Sequence, residues 1–257
     1  MKLIDSHCHL DFDQFSHDRE QVLQSARQLG VSDFVLPAVQ SKRWDQLINL
    51  CDSEYGLHYA LGLHPMFVKH HQWSDVELLR DYLHNHQACA VGEIGLDFYD
   101  RTLSTNKQTE LFEAQLEVAC DFNLPVILHV RKAHQEVLNC LRKYPVTGGI
   151  VHAFNGSFQQ AERYQKYGFK FGFGGMVTFQ RSRHLRDLAQ HLPLETIVLE
   201  TDSPDMTVEQ HKGTRNSPEY LGYCLQTLQE LRQQPAIQLA DITRQNTIDV
   251  LELKCKD

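Results

Sequence analysis

Leu3-Ile4-Asp5-Ser6-His7-Cys8-His9 is the stretch on which the fold turns. The apolar-leading run Leu3-Ile4-Asp5-Ser6 goes straight into two histidines separated by one residue. Side chains alternate faces along a strand, so His7 and His9 share a face with Leu3 and Asp5, while Cys8 points away. Two imidazoles on one face at a strand's end make part of a metal site. The chain has 15 histidines in 257 residues, so such a pair also arises by chance, and the rest of the chain has to supply the other ligands.

Working outward, short apolar runs recur with stretches of helical length between them. They predict eight strands over 2–6, 33–37, 57–61, 88–92, 125–128, 149–151, 169–173 and 196–199. Helices are expected over 18–29, 44–53, 75–86, 107–121, 134–143, 158–167 and 183–191, with two more over 218–232 and 237–251. The clearest has Phe112, Leu116 and Ala119 at helical spacing, opposite Glu110, Glu113 and Glu117. No low-complexity segment, charge block or Pro/Gly-rich linker marks a boundary, so one domain is expected over 1–257. Strictly alternating strands and helices in about 250 residues predict an α/β (β/α)8 TIM barrel. An open doubly wound sheet is the rival, but the first strand ends in His-Cys-His where that fold needs a glycine-rich turn.

Composition narrows the class. Hydrophobic residues at 42% and charged residues at 23% suit a globular chain with a sizeable core. No apolar run is long enough for a transmembrane helix, and no basic-then-apolar leader opens the chain. The seven cysteines form no CxxC and are odd in number, which predicts a reducing, cytoplasmic home. A formal net charge of -8 argues against a broad basic surface for nucleic acid, though not against local positive charge at a site.

In a parallel barrel the site gathers where strands end. His7 and His9 end the first strand, Glu93 follows the fourth, and His129 then Arg131 close the fifth. His152 ends the sixth, Glu200 and Asp202 the eighth, and His64 follows the third. One buried histidine is commonly a structural residue; so many ligand types converging at one end cost too much desolvation to be idle core. Six ligands exceed one tetrahedral ion and predict two divalent cations: His7, His9 and Asp202 on one, His129 and His152 on the other, Glu93 bridging. Such ions activate water, and Asp202 is placed to accept its proton. Imidazole-rich ligation favours Zn2+ or Mn2+ over Mg2+.

These blocks resemble a family. His7-Cys8-His9, Gly62-Leu63-His64-Pro65, Gly92-Glu93-Ile94-Gly95-Leu96-Asp97 and Pro125-Val126-Ile127-Leu128-His129-Val130-Arg131 are similar to those of TatD-type metal-dependent hydrolases of the amidohydrolase superfamily. So are His152-Ala153-Phe154-Asn155-Gly156-Ser157, Glu200-Thr201-Asp202-Ser203-Pro204-Asp205 and the Arg215-Asn216-Ser217-Pro218 segment. The resemblance spans the chain in order. It implies a TIM barrel, divalent metals on His7, His9, Glu93, His129, His152 and Asp202, and deoxyribonuclease activity of 3′-exonuclease type. The family's Cys-Phe-Ser after the sixth-strand histidine reads Ala153-Phe154-Asn155 here, a departure that bears on substrate contacts.

Around the ligands, Arg131 is read either as a phosphate clamp or as the partner of inward Glu200. His64 is read as a contact to phosphate or leaving group, or as a turn cap; Asn155 as a donor to substrate oxygen, or as a turn residue. Arg215 and Lys212, with Arg181 and Arg183, offer local positive charge for a nucleotide backbone, or lie solvated. Phe98 and Tyr99 suit base stacking or lid packing. Asp5 and Glu200 are expected to orient ligand imidazoles. His70, His71, His84 and His86 are expected on surface loops or helix ends. The expected partner is DNA or another nucleotide-containing substrate, with no membrane and no obligate protein partner. A second class is a carboxyl ester or amide hydrolase, including a D-aminoacyl-tRNA deacylase; a non-catalytic metal-binding scaffold is a third.

Overall fold

The structure, a computed structural model, describes residues 1–255; positions 256 and 257 of the expected domain lie outside the described residues. Eight strands run Leu3–Asp5 (β1), Val31–Pro37 (β2), Leu57–Leu61 (β3), Ala90–Asp97 (β4), Val126–Arg131 (β5), Gly149–Val151 (β6), Phe169–Phe173 (β7) and Ile197–Leu199 (β8). They pair in parallel in the order β1 to β8. The seam between first and last closes beyond the regular strands. The Ser6 N–H donates to the Leu199 carbonyl at 3.0 Å, the Asp202 N–H to His7 at 2.8 Å and the His9 N–H to Ser203 at 2.8 Å. The architecture is the expected (β/α)8 barrel.

Helices Arg19–Gln28 (α1), Trp44–Ser53 (α2), Ser74–Asn85 (α3), Thr105–Asp121 (α4), His134–Lys143 (α5), Phe158–Gln165 (α6) and Arg183–His191 (α7) alternate with the strands. Leu221–Arg232 (α8) and Ala236–Leu251 (α9) complete the ring. The first residues of the expected 218–232 helix form a separate tight turn, Pro218–Tyr220, with Pro218 at its first position, where its missing N–H costs nothing. Ser104 caps α4 by accepting the Lys107 N–H at 3.2 Å, a contact worth about 1 kcal/mol. The buried glutamines of α4 then fix strand ends. Gln115 accepts the Leu63 N–H at 2.7 Å, and Gln108 exchanges two bonds with the Asp97 backbone.

Inside the barrel lies a small apolar layer of Ile4, Val35, Ala60, Ala90, Ile127, Ile150 and Val198, floored by Leu251 and Leu253. The much larger outer layer packs strand faces against helices. This corrects the expected alternation in the first strand. Ile4, not Leu3, faces the axis, and Leu3 packs outward. The pairing with β2 shifts register between Leu3 and Ile4, and regular strand stops at Asp5, so the alternation does not carry through to His7. In β5 the expected parity holds for Ile127, which faces inward. β4 runs five residues further than expected and takes Glu93 into its interior.

Candidate metal centre

All the ligand-type residues from the strand ends meet at the C-terminal mouth of the barrel. Glu93 is the centre, 1% exposed, with its two oxygens facing two sets of donors. Oε2 lies 3.3 Å from His7 Nε2 and 3.7 Å from His9 Nε2. Asp202 Oδ1 is 3.6 Å from both of those nitrogens, which are 3.3 Å from each other. On the other side, Oε1 lies 3.1 Å from His64 Nε2, 3.1 Å from His129 Nδ1 and 3.3 Å from His152 Nε2.

These spacings test whether cations fit. Ligands about 2.0–2.2 Å from a tetrahedral ion stand about 3.3–3.6 Å from one another. The five spacings that His7 and His9 make, with each other and with Glu93 and Asp202, run 3.3–3.7 Å and match that edge length within a tenth of an ångström or so. Two imidazole nitrogens facing each other at 3.3 Å share at most one proton, whereas a cation satisfies both. The groups His7–His9–Asp202, His7–Glu93–His152 and His64–Glu93–His129 each place donor atoms within 4.8 Å of one another. The cluster could therefore hold metal.

Electrostatics agree. Burial opposes the charge on Glu93, but the imidazoles of His64, His7 and His152 outweigh it and hold the carboxyl well below the usual range. Burial and the neighbouring His7 push His9 down to about 3 and His152 down to about 4. His7 goes the other way, to about 9, because Glu93 and Asp202 overcome burial. Burial lifts Asp202 to about 6 and Glu200 to about 7. A few carboxylates and many imidazoles thus compete for too few protons, an arrangement that neutral imidazoles on a shared cation would relieve.

Local backbone holds these side chains. Asp202 adopts a left-handed φ of 57°, fixed by its N–H on the His7 carbonyl. Ala153, φ 44°, donates its N–H to Glu200 Oε1 at 2.6 Å. That oxygen is also 3.5 Å from His152 Nδ1, an ion-pair separation without a hydrogen bond, so the Glu200 carboxylate faces the outer nitrogen of His152. Asp5 does something else than expected: its carboxylate takes the backbone N–H of Thr201 and His7 and the Thr201 hydroxyl, and no imidazole. It ties β1 to β8.

A cavity of about 610 Å³ opens above the cluster. Arg131 and Asn155 reach its lining, with Phe12, Met66, Phe67, Met176 and Met206 as apolar walls. The Arg131 guanidinium lies 3.8 Å above the Tyr99 ring and 3.9 Å from Asp97, so the expected alternative partner, Glu200, is replaced by Asp97. Asn155 Oδ1 meets His134 Nε2 at 3.2 Å. Arg215 is not brought to the cavity. Its fork grips Asp18 at 2.9 and 2.6 Å with the guanidinium over the Phe15 ring, which corrects its expected role at the substrate. His71 is buried and bonds the His64 carbonyl at 3.0 Å, so it is not a surface residue. Cys8 is buried in the outer layer, as expected.

Asp97 is the contact that residue-by-residue reading missed. Its Oδ2 lies 3.0 Å from His129 Nε2, so His129 spans from Asp97 to Glu93. Its even spacing from Glu93 on one strand is the sequence signal for this contact, and it is visible only when the strand runs past Gly92.

The family model for TatD-related DNases matches residues 4–252. The chain is 39% identical over 249 residues to the uncharacterized metal-dependent hydrolase YjjV of Escherichia coli K12, covering 96% of each. It is 29% identical over 246 residues to the uncharacterized metal-dependent hydrolase YabD of Bacillus subtilis 168, covering 95% of this chain and 96% of that one. The crystal structure of YjjV, a TatD homologue from Escherichia coli K12, superposes with a TM-score of 0.94 at 38% identity over 98% of both chains. A hydrolase TatD family protein from Entamoeba histolytica shares the fold, with a TM-score of 0.82 at 19% identity over 97% and 98%. Within the described residues no helix is long and apolar enough to cross a membrane. Whole-chain coverage and the donor geometry agree: the chain belongs to the TatD-related DNase family and is a metal-dependent hydrolase.

Proposed function

We propose that the chain is a deoxyribonuclease that removes nucleotides from the 3′ end of DNA by hydrolysing phosphodiester bonds. The observation that carries this is the shared Glu93, whose two oxygens face separate donor sets at the floor of a cavity sized for one small unit of substrate. His7, His9 and Asp202 would hold one divalent cation, His129 and His152 a second with His64 beside them, and Glu93 would contact both. Zn2+ or Mn2+ suits these donors better than Mg2+. Bound there, such ions supply an acidified water and polarise the oxygen under attack.

The chain's own groups do the rest. Asp202, at the mouth of the cluster, takes the proton of the attacking water. Arg131, stacked on exposed Tyr99, presents its planar fork to the phosphate oxygens. With Oδ1 of Asn155 engaged by His134, its amide nitrogen is left to donate to substrate oxygen. Glu200 faces His152, and Asp97 holds His129. The apolar walls exclude bulk water and face the terminal sugar and base. DNA is the partner in this reading, no protein partner is required, and the free thiols suit the cytoplasm.

One observation favours a second reading. Arg131 is the one lysine or arginine among the described residues that line the cavity, and Phe12, Phe67, Met66, Met176 and Met206 form an apolar part of its wall. An acyl ester or amide, such as a D-aminoacyl-tRNA, matches that surface. Purified protein with Zn2+, Mn2+ or Mg2+ is expected to shorten single-stranded DNA from the 3′ end. Inertness toward DNA with every ion, alongside turnover of acyl esters or D-aminoacyl-tRNA, would replace the first reading by the second.

A further inference from the structure

The opposite end of the barrel carries another set of metal-type donors. Asp33 on β2 lies two residues before inward Val35, and His58 on β3 two before inward Ala60, so alternation aims both at the axis beneath the core. Asp33 is 2% exposed, and its Oδ1 is 3.1 Å from His58 Nε2. The third donor comes from the C-terminal tail. Helix α9 ends on Glu252, whose left-handed φ of 50° turns the chain back across the floor. The Leu253 N–H then donates to Ile248 at 3.1 Å, and Leu253 packs under the barrel. Two residues on, Cys255 packs against the same floor with its thiol on the Asp33 carboxylate. Donor atoms of Asp33, His58 and Cys255 all lie within 4.8 Å of one another. A cavity of about 430 Å³, lined in part by His58, Cys89, Glu252 and Leu253, opens beside them.

We propose that Cys255 Sγ, His58 Nε2 and Asp33 Oδ1 bind a thiophilic divalent cation of the Zn2+ class, fastening the C-terminal tail across the barrel floor. Thiolate, imidazole and carboxylate are each zinc donors, and the adjoining cavity gives water access to a fourth position. Binding breaks the Cys255 S–H bond, forms a sulfur–metal bond and releases the proton to solvent. The role is structural: the three donors come from two adjacent strands and the chain's end, so one ion links segments far apart in sequence, at the barrel end where stability devices sit. Chemistry separates this site from the mouth, whose donors are all nitrogen and oxygen. Protein groups alone also give the triad hydrogen bonds, Ser32 Oγ to Asp33 Oδ2 at 2.6 Å included, so a metal-free network is the opposing outcome.

Co2+ added to the full chain tests this, because only a sulfur ligand gives a sulfur-to-cobalt charge-transfer band in the near ultraviolet. The wild type is expected to develop the band and lose it to excess Zn2+. Cys255→Ser and His58→Gln are expected to abolish it, while Cys89→Ser, on the cavity wall, keeps it. Zn2+ content should fall by one equivalent per chain in Cys255→Ser, and Zn2+ should raise the melting temperature of the wild type more than that of the variant. No band in the wild type, or an undiminished band in Cys255→Ser, overturns the proposal. Equal zinc content in the two proteins overturns it as well.

Discussion

Gly172→Ala is expected to disable the metal centre from a position that touches none of its ligands. Gly172 is the inward residue of β7, paired with Val198, in the layer where β1–β6 and β8 place apolar side chains. The space is filled by the Glu200 carboxylate: a Cβ on Gly172 would meet Oε2 at 1.9 Å, Cδ at 2.4 Å and Oε1 at 2.8 Å. Glu200 is 1% exposed, so the carboxylate has to shift within packed surroundings. Shifting it lengthens the 2.6 Å bond from Ala153 and moves the carboxylate away from His152 Nδ1. Loss of a charge-assisted hydrogen bond costs about 1.5–3 kcal/mol. A barrel of this size should then melt roughly 3–12 °C lower. Displacing a ligand's outer partner costs about 10–100-fold in metal affinity or activity. The assay pairs a thermal melt with metal titration and turnover. Gly222→Ala is the control, since a Cβ there meets nothing within 4 Å and lies in α8, so it should be neutral or stabilise by up to about 1 kcal/mol. Wild-type melting and metal affinity in Gly172→Ala would refute the reasoning.

Other outcomes follow from the same contacts. Asp97→Asn should lower turnover by about 10–100-fold while the melt changes little, because Asn keeps the shape that receives the Tyr99 N–H and loses the charge facing His129; an unchanged rate would detach Asp97 from the site. Arg131→Ala should raise KM for DNA and Arg131→Lys should rescue it only in part, since an ammonium lacks the planar fork; equal KM in all three proteins would remove Arg131 from substrate binding. Arg215→Ala should leave kinetics unchanged and cost under about 1 kcal/mol, because its pairing with Asp18 is partly exposed and screened. Lost activity with an intact melt would return Arg215 to the site.

Much of this was legible in residues. The strands over 57–61, 149–151 and 169–173, and the helices over 44–53, 134–143 and 183–191, match the structure to the residue, because glycines and polar clusters punctuate them. The mouth was legible because ligand types recur where apolar runs stop. What escaped involved departures from regular alternation or contacts between distant segments. The register shift between Leu3 and Ile4 inverted the parity of the first strand, and Asp5 answered to Thr201, almost two hundred residues away. Arg215 reads as local charge in the sequence because its partner Asp18 lies at the other end of the chain. His64 looked like a turn cap or substrate contact; its Nδ1 does accept the Met66 N–H, yet its Nε2 joins Glu93. The Asp33–His58–Cys255 group has no sequence motif at all, since its spacing is created by the barrel.

Glu93 is the residue on which a two-cation centre depends. Metal content and DNA hydrolysis should be measured together in Cys255→Ser, which removes the floor site, and in Cys255→Ser/Glu93→Ala. With Mn2+ or Zn2+ at saturation, the first protein should carry two ions per chain and shorten DNA from its 3′ end. The second should carry at most one and be inactive, with its melt retained. Two ions and undiminished hydrolysis without the Glu93 carboxylate would contradict the shared bridge on which the mechanism rests.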